Sequence, residues 1–195
     1  MHARTARLTL RELTLEDIPA IYALESLPEV ARYQTWLPRT RADAEDFVHK
    51  SIKEAAAVPR VIVEQAVSIV VAQTRTTEVG SGPEIEQFIG RVGGHIDATA
   101  HTAEMWFSFF PTAQGQGYAT EALRALLGQF QDAMWNGDVP PFDRFIIECD
   151  PRNDRSSKLA GRVGFSLQSC TEKAFECKGE WVGSAVYWRG LDVVR

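Results

Sequence analysis

The chain has 195 residues, 45% apolar and 24% charged, the proportions of an ordinary folded domain, which excludes a collagen-like or disordered polymer. Twenty-one Lys and Arg against twenty-six Asp and Glu leave a net charge of −5, a poor basis for a general nucleic-acid surface. No run approaches the roughly 20 continuous apolar residues of a bilayer span, and the first residues lack a signal-peptide core. The expectation is one cytoplasmic domain over 1–195 with no nucleic-acid or membrane partner.

Residues 7–13 alternate around Leu8 and Leu10, the pattern of a half-buried first strand. Thr14 with Asp17 three residues on predicts a capping box that opens a helix over about 15–26. After Pro28 a short helical turn leads to an aromatic loop with Tyr33, Trp36 and Leu37, stopped by Pro38. Thr40 opens a second helix to about Ala57, with Ala44, Phe47, Val48 and Ile52 on its apolar side. From Arg60 the chain turns β-branched, and strands are expected at 61–63, 67–71, 85–96 and 103–110. The stretch from Thr74 to Glu84, with Gly80, Gly82 and Pro83, reads as a surface loop. A helix over 115–135, a strand over 142–149, a helix over 156–163 and strands at 165–167 and 181–188 complete the order. That order implies a mixed α/β sheet in which only the middle strands need be parallel.

The most informative segment is Pro111 to Ala122, between an aromatic strand and an amphipathic helix. The first turn of that helix carries free backbone N–H groups and about half a positive charge from the helix dipole, which suits a phosphate. Gly115 and Gly117 remove side chains where an anion must approach. The absence of Gly-Lys-Ser/Thr excludes a P-loop, and Thr120 replaces the third glycine of a dinucleotide fingerprint. Cys149, Cys170 and Cys177 lack CxxC spacing, and His2, His49, His95 and His101 form no HExxH or i,i+4 pair, so no metal is expected.

The segment Gln114-Gly115-Gln116-Gly117-Tyr118-Ala119 resembles the acyl-CoA signature of the GNAT N-acetyltransferase superfamily, in its branch similar to ribosomal-protein-alanine acetyltransferases. The similarity continues in Arg7-Leu-Thr-Leu-Arg11, in Trp36-Leu-Pro38 with the helix from Asp43 to Phe47, in Ala103-Glu104-Met-Trp-Phe, and in Asn153-x-x-Ser156 leading to Gly164-Phe165. The resemblance implies a mostly antiparallel twisted sheet with one parallel, splayed pair and helices on both faces. Acetyl-CoA would lie in the splay, its pyrophosphate on Gln114, Gly115, Gln116, Gly117, Tyr118, Ala119 and Thr120. Its pantetheine would run beside Trp106, Phe107, Ser108 and Phe109. A 3′-phosphate contact would come from Arg124, Arg152, Arg155 or Lys158.

The reaction implied is acetyl transfer to a primary amine of a small molecule or a protein N-terminus, by direct attack in a ternary complex. An alkylammonium with a pKa near 10 must lose its proton; Glu104 is the first choice of base and Glu148 the second. Asn153 and Ser156 would stand near the sulfur, Ser156 assisting its departure; alternatively Asn153 sits in a turn and Ser156 caps the helix. The position where many relatives carry a thiolate-protonating tyrosine is Ala160. Tyr33, Trp36, Phe107 and Trp181 would wall the acceptor site. Three alternatives stay open: a non-catalytic acyl-CoA-binding sensor or assembly module, a different acyl group, and a hydroxyl acceptor. The chain is expected to act as a monomer or homodimer.

Overall fold

The computed structural model describes residues 1–72 and 84–192. In chain order these form β1 (His2–Arg4), β2 (Leu8–Glu12), a 3-10 turn (Leu15–Asp17), α1 (Ile18–Glu25), α2 (Pro28–Ala31), α3 (Arg41–Ala55), β3 (Ile62–Ala72), β4 (Glu84–Asp97), β5 (Thr102–Phe109), α4 (Tyr118–Asn136), β6 (Arg144–Cys149), α5 (Asp154–Arg162), β7 (Ser166–Cys177) and β8 (Glu180–Gly190). The expected Thr74–Glu84 loop lies outside the described residues except for Glu84, which opens β4. The strands make one sheet in the order β1-β2-β3-β4-β5-β6-β8-β7. Every neighbouring pair is antiparallel except β5 with β6, the mixed α/β arrangement expected.

Side-chain alternation sorts each strand between two helical layers. Leu123, Leu126, Leu127 and Phe130 of α4 and Leu159 of α5 pack with Leu8, Val63, Val92 and Met105 on one face. Each such side chain contributes about 1.5–3 kcal/mol when fully buried. On the other face Ile21 of α1 and Ala44 and Val48 of α3 enclose Leu13 and Ala66. The helix entrances follow local chemistry. The Asp17 carboxylate accepts from the Thr14 N–H at 2.7 Å, and that of Asp43 accepts from the Thr40 N–H at 2.8 Å while the Thr40 hydroxyl accepts from the Asp43 N–H at 3.2 Å.

Several boundaries differ from the sequence reading for identifiable reasons. The two strands expected at 61–63 and 67–71 are one strand, β3, because the intervening Glu64 and Gln65 are buried with partners: Gln65 donates to the Gln129 side chain at 2.8 Å and Glu64 receives Arg91. The half-buried first strand is covered on both faces, Leu8, Thr9 and Leu10 all being buried. The strand expected at 165–167 continues to Cys177. It is the exposed edge, and its register shifts twice against β8, so it carries no apolar alternation. The short edge strand β1 was unexpected. Helix α4 starts at Tyr118 rather than Gly115, since Gly115 and Gly117 hold left-handed φ values of 78° and 81°, conformations that glycine adopts without steric cost.

The parallel pairing is brief. Thr102, Ala103 and Glu104 lie beside Arg144, Phe145 and Ile146. Beyond Glu104, β5 stays with β4 as far as Phe109, while β6 stays with β8 as far as Cys149. The two central strands thus part in the middle of the sheet, and the gap is the site.

Candidate active site

A cleft of about 1320 Å³ runs from the splay over the N-terminus of α4. Phe107, Ser108 and Phe109 of β5 form one wall, Asn153, Ser156 and Leu159 the other, and Gln114, Gly115, Gly117, Tyr118, Ala119 and Thr120 the base. Among the described residues, no backbone carbonyl accepts from Tyr118, Ala119 or Thr120; the first such bond in this turn is Glu121 N–H to the Gly117 carbonyl at 3.1 Å. Three orphan donors therefore face the cleft at the positive end of a 19-residue helix, the arrangement that receives an anion. Arg124, Arg155, Lys158 and Arg162 stand along the same cleft. Gln114 is held in place, its amide donating to the Phe109 carbonyl at 3.2 Å and its oxygen accepting from Arg155.

A second cavity, about 480 Å³, lies on the α1–α3 side of the sheet. Glu104 and Trp106, alternate residues of β5, face it together with Tyr33, Trp36, Glu64 and Glu148. Glu104 is open to this chamber, yet the surrounding protein and then the neighbouring Glu148 carboxylate raise its pKa above the usual carboxylate range, against a smaller opposing influence of His95. His95 is its direct cross-strand neighbour. Such a carboxyl gains proton affinity, which a general base needs. Glu148 accepts from the Ser184 hydroxyl at 2.5 Å. The two cavities share Tyr33, Gln34, Phe107, Ser108, Asn153 and Ser156, so an extended ligand in the cleft and a second molecule in the chamber would meet there.

The chamber is held by a buried ladder of charges that the sequence reading did not identify. Glu64 accepts from the Trp106 indole N–H at 2.7 Å and from Arg91 at 2.8 Å; Arg91 in turn donates to Glu25 at 2.5 Å. Arg39 pairs with the other Glu25 oxygen at 2.7 Å. The Arg39 and Arg91 guanidiniums both lie over the ring of Phe47, and Trp36 lies against Arg39. Desolvation opposes the charge on Arg91, but its two carboxylates outweigh it and keep the residue cationic. Gly93 makes the ladder possible, since a Cβ there would lie 2.4 Å from the Trp106 indole nitrogen and 2.8 Å from a Glu64 oxygen. No spacing rule links these residues; they come from α1, the Trp36 loop, α3, β3, β4 and β5.

Some expected site residues lie elsewhere. Trp106 faces the chamber rather than the long cleft, its indole turned to Glu64. Trp181 lines neither cavity: Glu180 and Val182 on either side of it face the chamber, which turns Trp181 to the opposite side, where it is 58% exposed. Gln116 points away, its amide donating to the Thr112 carbonyl at 2.9 Å. Arg152 is bound to Asp150 and Glu180 outside the long cleft. The cap of α5 is Asn153, whose side chain accepts from the Ser156 N–H at 3.2 Å; Ser156 does not cap the helix. Ala160 is wholly buried in the core. Among the described residues no group of three or more His, Cys, Asp and Glu side chains could hold a metal, and no helix is long and apolar enough to cross a membrane.

A sheet whose central parallel pair parts over a glycine-rich helix N-terminus, with helices on both faces, is the architecture of an acyl-CoA-dependent acetyltransferase. The acetyltransferase (GNAT) domain family matches residues 7–166, and the chain belongs to it. Over 181 residues it is 26% identical to the uncharacterized N-acetyltransferase YnaD of Bacillus subtilis (strain 168), covering 93% of this chain and 92% of that one. It is 31% identical to the ribosomal-protein-serine acetyltransferase of Escherichia coli (strain K12) over 90 residues, 46% of this chain and 47% of the relative. Among solved structures, RimL, a ribosomal L7/L12 alpha-N-protein acetyltransferase in complex with coenzyme A, superposes with a TM-score of 0.76 at 19% identity, covering 98% and 99% of the two chains.

Proposed function

We propose that the protein transfers the acetyl group of acetyl-CoA to a primary amine, of a small molecule or of a protein or peptide N-terminus, by direct attack in a ternary complex. The carrying observation is the meeting of two cavities at Phe107, Ser108, Asn153 and Ser156, one ending on a helix N-terminus and the other holding Glu104. Acetyl-CoA would enter by the long cleft, with its diphosphate on the amides of Tyr118 to Thr120. The amine would enter by the chamber. The neutral nitrogen attacks the thioester carbonyl carbon, the C–N bond forms, the C–S bond breaks, and the proton leaves the nitrogen for Glu104 directly or through water. Sulfur departs as the thiolate.

A β5 backbone N–H near Phe107 or Ser108 would stabilise the developing oxyanion without reorganisation. Ser156, at the junction, would assist the thiolate; with a thiol pKa near 8.5 the group leaves acceptably unprotonated, which suits an alanine at position 160. Two observations favour direct attack over an acyl-cysteine. Burial raises the pKa of the Cys149 thiol, which makes its thiolate scarce, and Cys149 makes its side-chain contact with Ser157 at 3.8 Å rather than with a base.

The test is CoA release from acetyl-CoA with a panel of amines, amino acids, polyamines and N-terminal peptides, with products identified by mass. Amide products and a CoA release abolished by omitting the amine are expected. Acetyl-CoA binding with no turnover on any acceptor would favour a non-catalytic binding module, and ester products would move the assignment to a hydroxyl acceptor.

A further inference from the structure

The long cleft contains a carboxylate beside the amides proposed to hold the ligand's diphosphate. Glu121 stands in the first turn of α4, beside Tyr118, Ala119 and Thr120, and lines the cleft with them. An ionised carboxylate facing a diphosphate would repel it. The carboxylate is nevertheless held ionised: partial burial opposes the charge, but hydrogen bonds from Thr5 and Arg7 outweigh burial and keep the pKa below the usual range.

Those partners come from the β1–β2 turn. Thr5 donates its hydroxyl to Glu121 Oε1 at 2.6 Å, and the Arg7 backbone N–H donates to the same oxygen at 3.0 Å. The Arg7 guanidinium donates through Nε to Glu121 Oε2 at 2.7 Å, and its Nη2 lies 2.6 Å from that oxygen. The same guanidinium reaches the anion loop itself. Nη1 donates to the Gln116 carbonyl at 2.9 Å, and the plane lies over the Tyr118 ring at 4.7 Å. A Cβ on Gly117 would come 3.3 Å from Nη2. Arg7 therefore holds Gln116 and Tyr118 on either side of Gly117 while cancelling the one carboxylate in the turn that follows.

We propose that Arg7 is a positioning residue of the diphosphate site: it neutralises Glu121 and fixes the Gln116–Gly117 peptide, so that the start of α4 presents a net positive field to the anion. This inference rests on the acetyl-CoA reading above. The fork geometry of an arginine is required, since one guanidinium serves a carboxylate and a carbonyl at once. Salt should weaken the effect, because Arg7 is about half exposed.

The test is calorimetric binding of CoA to the full chain and three variants, with far-UV dichroism and melting of each ligand-free protein to check folding. Arg7→Ala, which leaves the Glu121 charge uncompensated, is expected to weaken CoA about tenfold or more. Glu121→Gln, which retains Arg7, should bind CoA as tightly as the parent or more tightly. The double variant should recover to within about threefold of the parent. A brace without an electrostatic role gives a different pattern: Glu121→Gln weakens binding as Arg7→Ala does, and the double variant recovers nothing. Either result overturns the proposal, and Glu121→Gln decides it alone if Arg7→Ala does not fold. A parent protein that does not bind CoA would overturn the acetyl-CoA reading, and this inference with it, whereas a parent that binds with unaltered variants would overturn only the role of Arg7.

Discussion

The long cleft and the chamber are built by different physics. The cleft is made largely from main chain: the orphan amides of Tyr118 to Thr120 and two glycines in left-handed conformations, with Arg124, Arg155, Lys158 and Arg162 along its rim. The chamber is made from side chains, with Trp106, Glu64, Arg91, Glu25, Arg39, Phe47 and Trp36 each positioned by the next. Backbone donors can serve any ligand with the same diphosphate, whereas a side-chain ladder can be altered residue by residue. This division fits an enzyme that keeps its acyl donor fixed and specialises in its acceptor.

The largest expected effect separates the two regions by function. Glu104→Gln removes the proposed base from the chamber and leaves the cleft untouched, so kcat should fall by about 10²–10⁴-fold while CoA affinity stays constant. In the parent, kcat/KM should rise with pH as Glu104 loses its proton, with a midpoint above that of an ordinary carboxylate because burial and Glu148 raise its pKa; in the variant that limb should vanish. A loss of CoA affinity equal to the loss of rate would instead make Glu104 part of the cleft.

Next in size are substitutions in the ladder. Gly93→Ala places a methyl 2.4 Å from the Trp106 nitrogen and 2.5 Å from the Val63 carbonyl, and should lower stability by about 1–3 kcal/mol in urea unfolding. Trp106→Phe keeps an aromatic side chain but removes the indole N–H and leaves a Glu64 oxygen without its donor, a cost of about 1–3 kcal/mol. Its kinetic signature should be a raised KM for the amine at unchanged CoA affinity. A change in CoA affinity alone would mean that the ladder serves the cleft.

These regions also differ in how far the sequence revealed them. The cleft was readable because its chemistry is local: Gln114 to Thr120 are contiguous, the glycines announce unusual φ values, and the apolar face of α4 repeats at helical spacing. Its Arg7–Glu121 pair was not, since nothing in the sequence links residues so far apart. The chamber was half readable. Glu104 follows from its place on β5, but Glu64 looked like a polar break between two strands because its partner Arg91 lies on another strand. Trp181 was misplaced by one step of alternation, a distinction that hydrophobicity cannot make on an exposed edge hairpin. The mixed α/β sheet followed from the succession of elements, while the extent of β7 did not, since an exposed edge strand needs no apolar alternation.

Two smaller effects sharpen the contrast. A carboxyl whose pKa is raised by folding costs stability once the pH passes its unfolded value, and the full cost is present above the folded value. Glu104→Gln should therefore raise the melting temperature slightly at neutral pH and have no such effect near pH 4. Trp181→Ala, on the outer side of the hairpin, should change neither the KM of the amine nor CoA affinity; a raised amine KM would return this residue to the acceptor wall.

The most direct measurement is a crystal structure of the protein with CoA. The diphosphate should lie on the amides of Tyr118, Ala119 and Thr120, and the sulfur should reach the junction of Phe107, Ser108, Asn153 and Ser156, facing the chamber that holds Glu104. A CoA molecule whose diphosphate avoids α4, or whose thiol ends away from that junction, would contradict the assignment of cleft to donor and chamber to acceptor.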